Sequence, residues 1–343
     1  MVTSINAWFN EALQRRWYSL SIWHVLLIPL SWIFGFLSCL RRLAYKFGLV
    51  KSYKLSVPVI VVGNINIGGT GKTPLVLWLS KQLINAGYSP AIISRGYGAS
   101  HTKISPVYAD SNPALVGDEP VLLAKRATCP VWIGQDRIAV VQKLLQVHPE
   151  CNVIISDDGL QHYRLRRDIE LVAVDASRGF GNGYLLPAGP LRELVSRLKK
   201  VDAVIFNGGQ PTHDSAANHF GMSLQGKQFQ SLLDDKKLAT AKDFADKKLH
   251  AVAGIGNPQR FFQQLENMGL RFERHVFPDH HAFKLTDLQI QGADVILMTE
   301  KDAVKCQRFA KDDWWFLPVE AIVEDRLATL IMSKLAVFKA LSK

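Results

Sequence analysis

The chain has 343 residues, 48% of them hydrophobic and 21% charged, which fits a globular protein of two domains or one large domain with additions. The formal net charge of +11 suits an anionic membrane surface, a phosphorylated substrate or nucleic acid; with no RNA-binding signature and no zinc-finger spacing, nucleic acid is set aside. Cys39, Cys129, Cys151 and Cys306 are widely spaced without a C-x-x-C, which argues against a disulfide framework or zinc site and for reduced thiols in a cytoplasmic compartment.

From Trp17 to Leu40 there is no Asp, Glu, Lys or Arg. As a helix this stretch is long enough to cross a bilayer core. Arg15 and Arg16 precede it and Arg41, Arg42 and Lys46 follow, so the flanks give no orientation signal. Pro29 and His24 weigh against a simple span, and a helix lying in the headgroup region with basic anchors is equally consistent. A signal peptide is disfavoured by the length of the run and the lack of an A-x-A-like cleavage site. A buried core helix is the bland alternative. The aromatic content and basic flanks favour a membrane-associated segment over residues 1–50.

Next comes Val57-Pro58-Val59-Ile60-Val61-Val62-Gly63, an apolar run rich in β-branched residues that reads as a buried parallel strand. Asn66-Ile67-Gly68-Gly69-Thr70-Gly71-Lys72-Thr73-Pro74 follows, and then Leu75 to Leu83 with helical apolar spacing. Strand, glycine-rich turn and helix together are the context of a phosphate-binding loop. Backbone N–H groups converge on a phosphate only where no Cβ intervenes, and the helix N-terminus adds partial positive charge. Gly68, Gly69, Thr70 and Gly71 would form the cradle. Lys72 would reach the terminal phosphates and the Thr73 hydroxyl would ligate Mg²⁺. Asn66 stands where the G-x-x-x-x-G-K-[ST] pattern has its first Gly; Asn tolerates φ > 0, so the turn remains possible.

Further strands are expected at Pro90 to Ser94, Pro130 to Gly134, Val153 to Ser156, Ile169 to Val174 and Ala203 to Phe206, with helical patterns between several of them. This alternation predicts an α/β fold: a P-loop NTPase-like, mostly parallel sheet with helices on both faces. Asn207-Gly208-Gly209-Gln210-Pro211 is a strong break, and Ser215 to Lys248 is polar and lysine-rich. A second α/β series then runs through His250 to Gly254, a helix from Pro258 to Met268, Phe272 to Phe277, Val295 to Met298 and Trp314 to Val319. The expected division is a nucleotide-binding domain over 51–210, a smaller α/β domain over 211–320 and a C-terminal helix within 321–343.

Four constellations carry possible chemistry. Asp157 and Asp158 end an apolar strand, where a carboxylate behind a phosphate loop helps hold Mg²⁺; an ordinary Asp-Gly turn is the alternative. Asp118 and Glu119 open a helical pattern, as caps or as a base and a metal-site carboxylate. Asp279-His280-His281 follows a strand, as a solvated loop or as a carboxylate–His pair tuned near neutral pH. Arg192 ends a turn-rich loop at the expected start of a helix, as a phosphate contact or as half of an Arg–Glu pair. Thr299-Glu300-Lys301-Asp302 lacks the Lys-x-Asp spacing of a GTPase base-reading motif. It would contact a nucleotide or brace the domain junction.

Gly63-Asn64-Ile65 and Gly68-Gly69-Thr70-Gly71-Lys72-Thr73-Pro74 are followed by Ser94-Arg95-Gly96-Tyr97-Gly98 and Gly117-Asp118-Glu119-Pro120. Then come Asp157-Asp158-Gly159-Leu160-Gln161-His162, Leu185 to Glu193, Asp279-His280-His281 and Thr299 to Asp302. In this order the motifs resemble the tetraacyldisaccharide 4′-kinase family, the lipid A kinases of Gram-negative bacteria, over most of the chain. Leu160 stands where an aromatic is common.

The resemblance implies ATP- and Mg²⁺-dependent phosphorylation of the 4′-hydroxyl of a tetraacylated glucosamine disaccharide 1-phosphate. It implies work at the cytoplasmic face of the inner membrane, among inner-membrane lipids, and two α/β domains flanking the active site. No obligate protein partner is implied. Carried over by motif, Asp118 and His280 form a base dyad with Asp118 nearest the hydroxyl, Glu119 and Asp157 or Asp158 are metal or water ligands, and Arg192 contacts phosphate. His280 is preferred to His281 because it directly follows Asp279. A membrane-bound P-loop ATPase acting on a partner and a non-catalytic nucleotide-binding scaffold are the rival readings.

Overall fold

The computed structural model describes Trp17 and residues 22–96, 103–209 and 217–341. Arg15 and Arg16, Tyr97 and Gly98 of the third motif, and Gln210-Pro211 of the central break lie outside the described residues. In chain order the first elements are α1 (Ile22–Lys46), β1 (Val59–Gly63), α2 (Lys72–Asn85), β2 (Pro90–Ser94), β3 (Ser105–Val107), α3 (Pro113–Val116) and α4 (Asp118–Arg126). They are followed by β4 (Val131–Ile133), α5 (Arg137–Val147), β5 (Val153–Asp157), β6 (Ile169–Asp175), β7 (Ala203–Asn207), β8 (His219–Gln225), β9 (Phe229–Ser231) and β10 (Leu238–Ala239). The chain ends with β11 (Leu249–Ala253), α6 (Pro258–Asn267), β12 (Phe272–Val276), β13 (Val295–Thr299), α7 (Glu300–Cys306), β14 (Trp314–Leu317), β15 (Glu320–Val323) and α8 (Asp325–Leu341).

Two sheets organise these elements. The first has the strand order β15-β8-β7-β6-β1-β5-β2-β4-β3, the second β10-β9-β14-β13-β11-β12. In the first sheet only the edge strands β3 and β15 pair antiparallel. β1 is buried on both faces because helices cover both, and it therefore reads as a continuous apolar run. Ile60 and Val62 pack with Leu75 and Leu79 of α2, Val121 and Leu123 of α4, and Leu327 and Ile331 of α8. Val59 and Val61 face the other way, onto Val140, Val141 and Leu144 of α5. The C-terminal helix thus docks on the first sheet.

The sheets do not divide at residues 210 and 320. β8 lies beyond the expected boundary yet pairs parallel with β7, and β15 returns to pair with β8. Pairing partners are tertiary facts, and the central glycines fall between two neighbouring strands of one sheet. The polar stretch after them is also built in: Phe229 and Phe244 are fully buried, in edge-to-face contact with each other and, for Phe244, with Trp315.

Helix α1 lies along the first lobe on a single stripe, with Leu27, Ile28, Ser31, Phe34, Gly35 and Ser38 at least partly covered. Ser31 is buried; its hydroxyl donates to Leu185 O (2.7 Å) and accepts from Ala188 N (3.0 Å). A Cβ on Gly35 would come within 2.7 Å of Leu185. Trp17 is held to the same loop, donating Nε1–H to Pro187 O (3.0 Å). The opposite stripe is apolar and open, with Trp32 71% and Phe36 67% exposed. Val25–Lys46 is long and apolar enough to cross a membrane.

Candidate active site

β1 is the centre of its sheet, flanked by β5 and β6, so its carboxyl end opens where α/β sheets bind ligands. The phosphate-loop backbone turns through Gly68 (φ 106°) and Gly71 (φ 90°). Gly71 caps α2 without any side-chain hydrogen bond, which leaves the first helical N–H groups for an anion. Asn66 is not at positive φ. It is buried, bridges to Leu191, and donates Nδ2–H to Gly179 O (2.8 Å). Its amide therefore ties the loop down, a role its place in the motif did not disclose. Gly68, Gly69, Thr70, Gly71, Lys72 and Thr73 all line a cleft of about 580 Å³ between the two lobes.

The end of β5 supplies the cleft's acidic floor. Asp158 lines the cleft, 3.3 Å from Lys72 Nζ and 3.4 Å from Arg192 Nη1. Burial raises its pKa, but Lys72, Arg192 and Arg137 outweigh burial and hold it at about 2. Asp157 is fully buried beneath. Its Oδ2 accepts from Ser94 Oγ (3.3 Å), while Oδ1 has no hydrogen-bond partner. Burial, then the charges of Glu119 and Asp158, push its carboxyl up to about 7. Arg137, also buried, clamps this turn by donating to Asp157 O (2.6 Å) and Asp158 O (3.0 Å). Arg192 does not open an α-helix. It sits at a bend, with its N–H bonded to Ile65 O (2.7 Å), three residues before the 3₁₀ turn Val195–Lys200. Its neighbour Glu193 pairs with Arg197 (3.4 Å) and Tyr163 (2.7 Å), so no Arg192–Glu193 pair forms.

Opposite the phosphate loop, two residues far apart in sequence meet. Asp118 is in the first turn of α4 and His280 in the loop after β12; His280 Nδ1 is 3.2 Å from Asp118 Oδ2. His280 adopts φ 60° and is the member that lines the cleft, with the buried Asp118 behind it. His281 turns away to Asp287 (2.9 Å). The Asp118 carboxylate also accepts its chain neighbour's N–H at 2.9 Å. Burial alone would raise its pKa. The His280 hydrogen bond and the Lys301 charge overcome burial and hold it at about 2. In return the Asp118 hydrogen bond raises the pKa of His280 above its ordinary value.

The Thr299–Asp302 motif joins this site. Lys301 Nζ is 3.0 Å from Glu119, 3.4 Å from Asp279 and 3.8 Å from Asp118, so it joins both lobes. Burial disfavours its charge, but Glu119 and Asp118 outweigh that and raise its pKa. Glu300 takes Arg126 of α4 in two hydrogen bonds of 2.7 and 2.9 Å. Thr299 caps α7, while Asp302, wholly buried, accepts from Gly254 N (2.9 Å) and pairs with Lys305 (2.7 Å). These contacts fit the junction brace, and Thr299, Glu300 and Lys301 also line the cleft, as the nucleotide-contact reading expects. Gly254-Ile255-Gly256-Asn257-Pro258 was read only as a strand end and helix start. Gly256 meets the phosphate loop: a Cβ there would lie 2.5 Å from Gly69 N. Asn257 and Arg260 reach across to Asp175 (2.9 and 2.7 Å). Two glycines before an Asn-Pro helix start are a signal of close backbone approach.

Known proteins share the sequence and the fold of this chain. The sequence profile of the LpxK family, described as tetraacyldisaccharide-1-P 4′-kinase, matches residues 23–336. The tetraacyldisaccharide 4′-kinase of Methylobacillus flagellatus is 52% identical over 327 residues, covering 95% of this chain and 96% of its own. That of Dechloromonas aromatica is 49% identical over 330 residues, covering 94% and 97%. Among solved structures, LpxK from Aquifex aeolicus in complex with ATP superposes with a TM-score of 0.76 at 27% identity, covering 92% of this chain and all of that one. A P-loop, its acidic floor and a paired Asp and His from opposing lobes thus occur in a chain that follows these kinases over nearly all of its length, and the chain belongs to the tetraacyldisaccharide-1-P 4′-kinase family.

Proposed function

We infer that this chain is an ATP-dependent kinase that phosphorylates the 4′-hydroxyl of a tetraacylated glucosamine disaccharide 1-phosphate, a step of lipid A biosynthesis. The observation that carries the site assignment is the meeting of Asp118 and His280 across the lobes, at the mouth of the cleft that holds Lys72. Phosphoryl transfer needs in-line positioning, charge neutralisation and an acceptor for the hydroxyl proton. The glycine backbone and Lys72 bind the ATP phosphates, with Lys72 exchanging Asp158 for phosphate oxygens. Arg192 neutralises charge on the transferred group. His280, on the cleft wall, takes the hydroxyl proton, and the ionised Asp118 stabilises the imidazolium that results.

The residues present fit Mg²⁺. The unpartnered, buried Asp157 Oδ1, in a carboxyl pushed up to about 7, marks a place where a cation would relieve crowded negative charge. Asp157, with Thr73 at the start of α2, would hold the ion, directly or through water, and Asp158 and Glu119 would add charge around it. When bound, Mg²⁺ neutralises charge on the β- and γ-phosphate oxygens.

The open apolar stripe of α1 supports a membrane-surface location for a lipid substrate. The opposite stripe is fixed to the Leu185–Ala188 loop, which supports a helix lying in one leaflet beside the first lobe. The inner membrane is the location this reading gives. The test of function follows label from ATP into a tetraacylated disaccharide 1-phosphate. Wild type is expected to label the lipid, and Lys72→Ala to lose activity by orders of magnitude while staying folded. Phosphate release without lipid labelling would replace this reading with an ATPase.

A further inference from the structure

Outside the cleft, three metal-ligating side chains meet on one face of the second sheet. β11 and β12 pair in parallel, with His250 opposite Glu273 and Val252 opposite His275. Glu273 and His275 are two residues apart on one strand and so share a face. His250 Nδ1 lies 2.9 Å from His275 Nε2. Glu273 sets one oxygen 3.7 Å from His250 Nδ1 and the other 3.9 Å from His275 Nε2. A ligand atom from each of the three falls within 4.8 Å of the other two. Two zinc–nitrogen bonds of about 2.0–2.1 Å at a tetrahedral angle separate their nitrogens by roughly 3.3 Å. The imidazole pair therefore needs to open by only about 0.4 Å to admit an ion at that spacing.

We propose that His250, Glu273 and His275 form a binding site for Zn²⁺ or a similar first-row divalent ion, separate from the phosphate cleft. Two imidazoles and one carboxylate suit such ions; Mg²⁺ and Ca²⁺ prefer oxygen ligands throughout. His250 is buried and fixed on an inner strand, while the Glu273 side chain is 69% exposed and leaves the fourth position to water. β12 is the edge strand of its sheet, held by hydrogen bonds on one side only. An ion bridging it to β11 clamps the strand that leads into Asp279 and His280. The site is structural and stands independently of the kinase assignment.

The test uses tag-free, full-length protein stripped with a chelator and titrated with Zn²⁺ at pH 7.5. Excess Mg²⁺ occupies the cleft carboxylates. One equivalent of Zn²⁺ is expected to bind and to raise the unfolding temperature. His275→Ala should weaken binding more than about 100-fold, because losing even an outer-shell partner costs about 10–100-fold. Glu273→Gln, on a side chain that is 69% exposed, should weaken it by about tenfold or more. Co²⁺ in place of Zn²⁺ should show visible d–d absorption in wild type that both variants lose. Absence of one-to-one binding, or binding that survives both substitutions, overturns the proposal.

Discussion

Asp118 and His280 lie 162 positions apart in the chain and 3.2 Å apart in space, and the shifts in their pKa values make them a unit. Ionised Asp118 raises His280, and His280 with Lys301 keeps Asp118 ionised against burial. Asp118→Ala and His280→Ala are each expected to lower kcat by about 10²–10⁴-fold. The double variant should lose little more than the worse single one; fully multiplicative losses would separate their roles. The pH dependence has a definite sign. Protonated His280 cannot accept a proton, so kcat should fall as pH drops through a pKa above the ordinary 6.5. In Asp118→Asn the hydrogen bond to a carboxylate that raises it is gone, and the residual activity should keep its acid limb at lower pH. An unmoved limb would assign it to another group. At this scale the phosphate loop was legible because its chemistry is local: backbone, Lys72 and Thr73 are contiguous. The roles of Asn66 and Arg137 were not, since each is defined by a carbonyl it reaches from far along the chain, Gly179 O and Asp157 O.

The lobes meet through short elements whose ends face each other. α4 and α7 interlock by Arg126 with Glu300 and by Glu119 with Lys301. Burial raises the pKa of Glu300 even with Arg126 attached. An acid with a raised folded pKa binds more protons folded than unfolded, so its contribution to stability falls as pH rises through that range. Arg126→Ala removes the compensating charge and should cost about 1–3 kcal/mol near neutral pH. The loss should shrink at acid pH, where Glu300 is protonated. Unfolding temperature measured against pH checks this; a pH-independent deficit would point to lost packing. Gly256 is the second contact point. Gly256→Ala forces a Cβ onto Gly69 N and should lower kcat/KM on the order of 10²-fold, as a displacement of about 1 Å can. Steady-state kinetics decide it, and wild-type values would mean the lobes separate freely. Helix signals placed α6 within a residue in the sequence, whereas the helix α7 at Glu300–Cys306 was not expected there. Which lobe each would press against was not readable, because that depends on the packing of both.

At the scale of the whole molecule, the outer stripe of α1 stands out as uncovered among the described residues. Residues of α1 alternate every three to four positions between a stripe laid on the first lobe and one left open. Each large apolar side chain moved from water into lipid contributes about 1.5–3 kcal/mol. Trp32→Glu with Phe36→Glu should therefore weaken co-sedimentation with anionic vesicles by about 100-fold or more. ATP binding should be unchanged, since the cleft lies in other elements. Full sedimentation of the double variant would place the anchor elsewhere. The sequence by itself determined the strand–loop–helix around Lys72, the mostly parallel class of the first sheet and the uncharged run before it. These follow from nearest-neighbour chemistry and from periodicity, which a linear pattern records. Only the tertiary structure decided that β8 and β15 belong to the first sheet, that α1 lies docked along Leu185–Ala188, and that Lys301 bridges Asp118, Glu119 and Asp279. Sheet partners, docking faces and shared charges are set by which distant segments exclude water together, and sequence spacing carries no record of that choice.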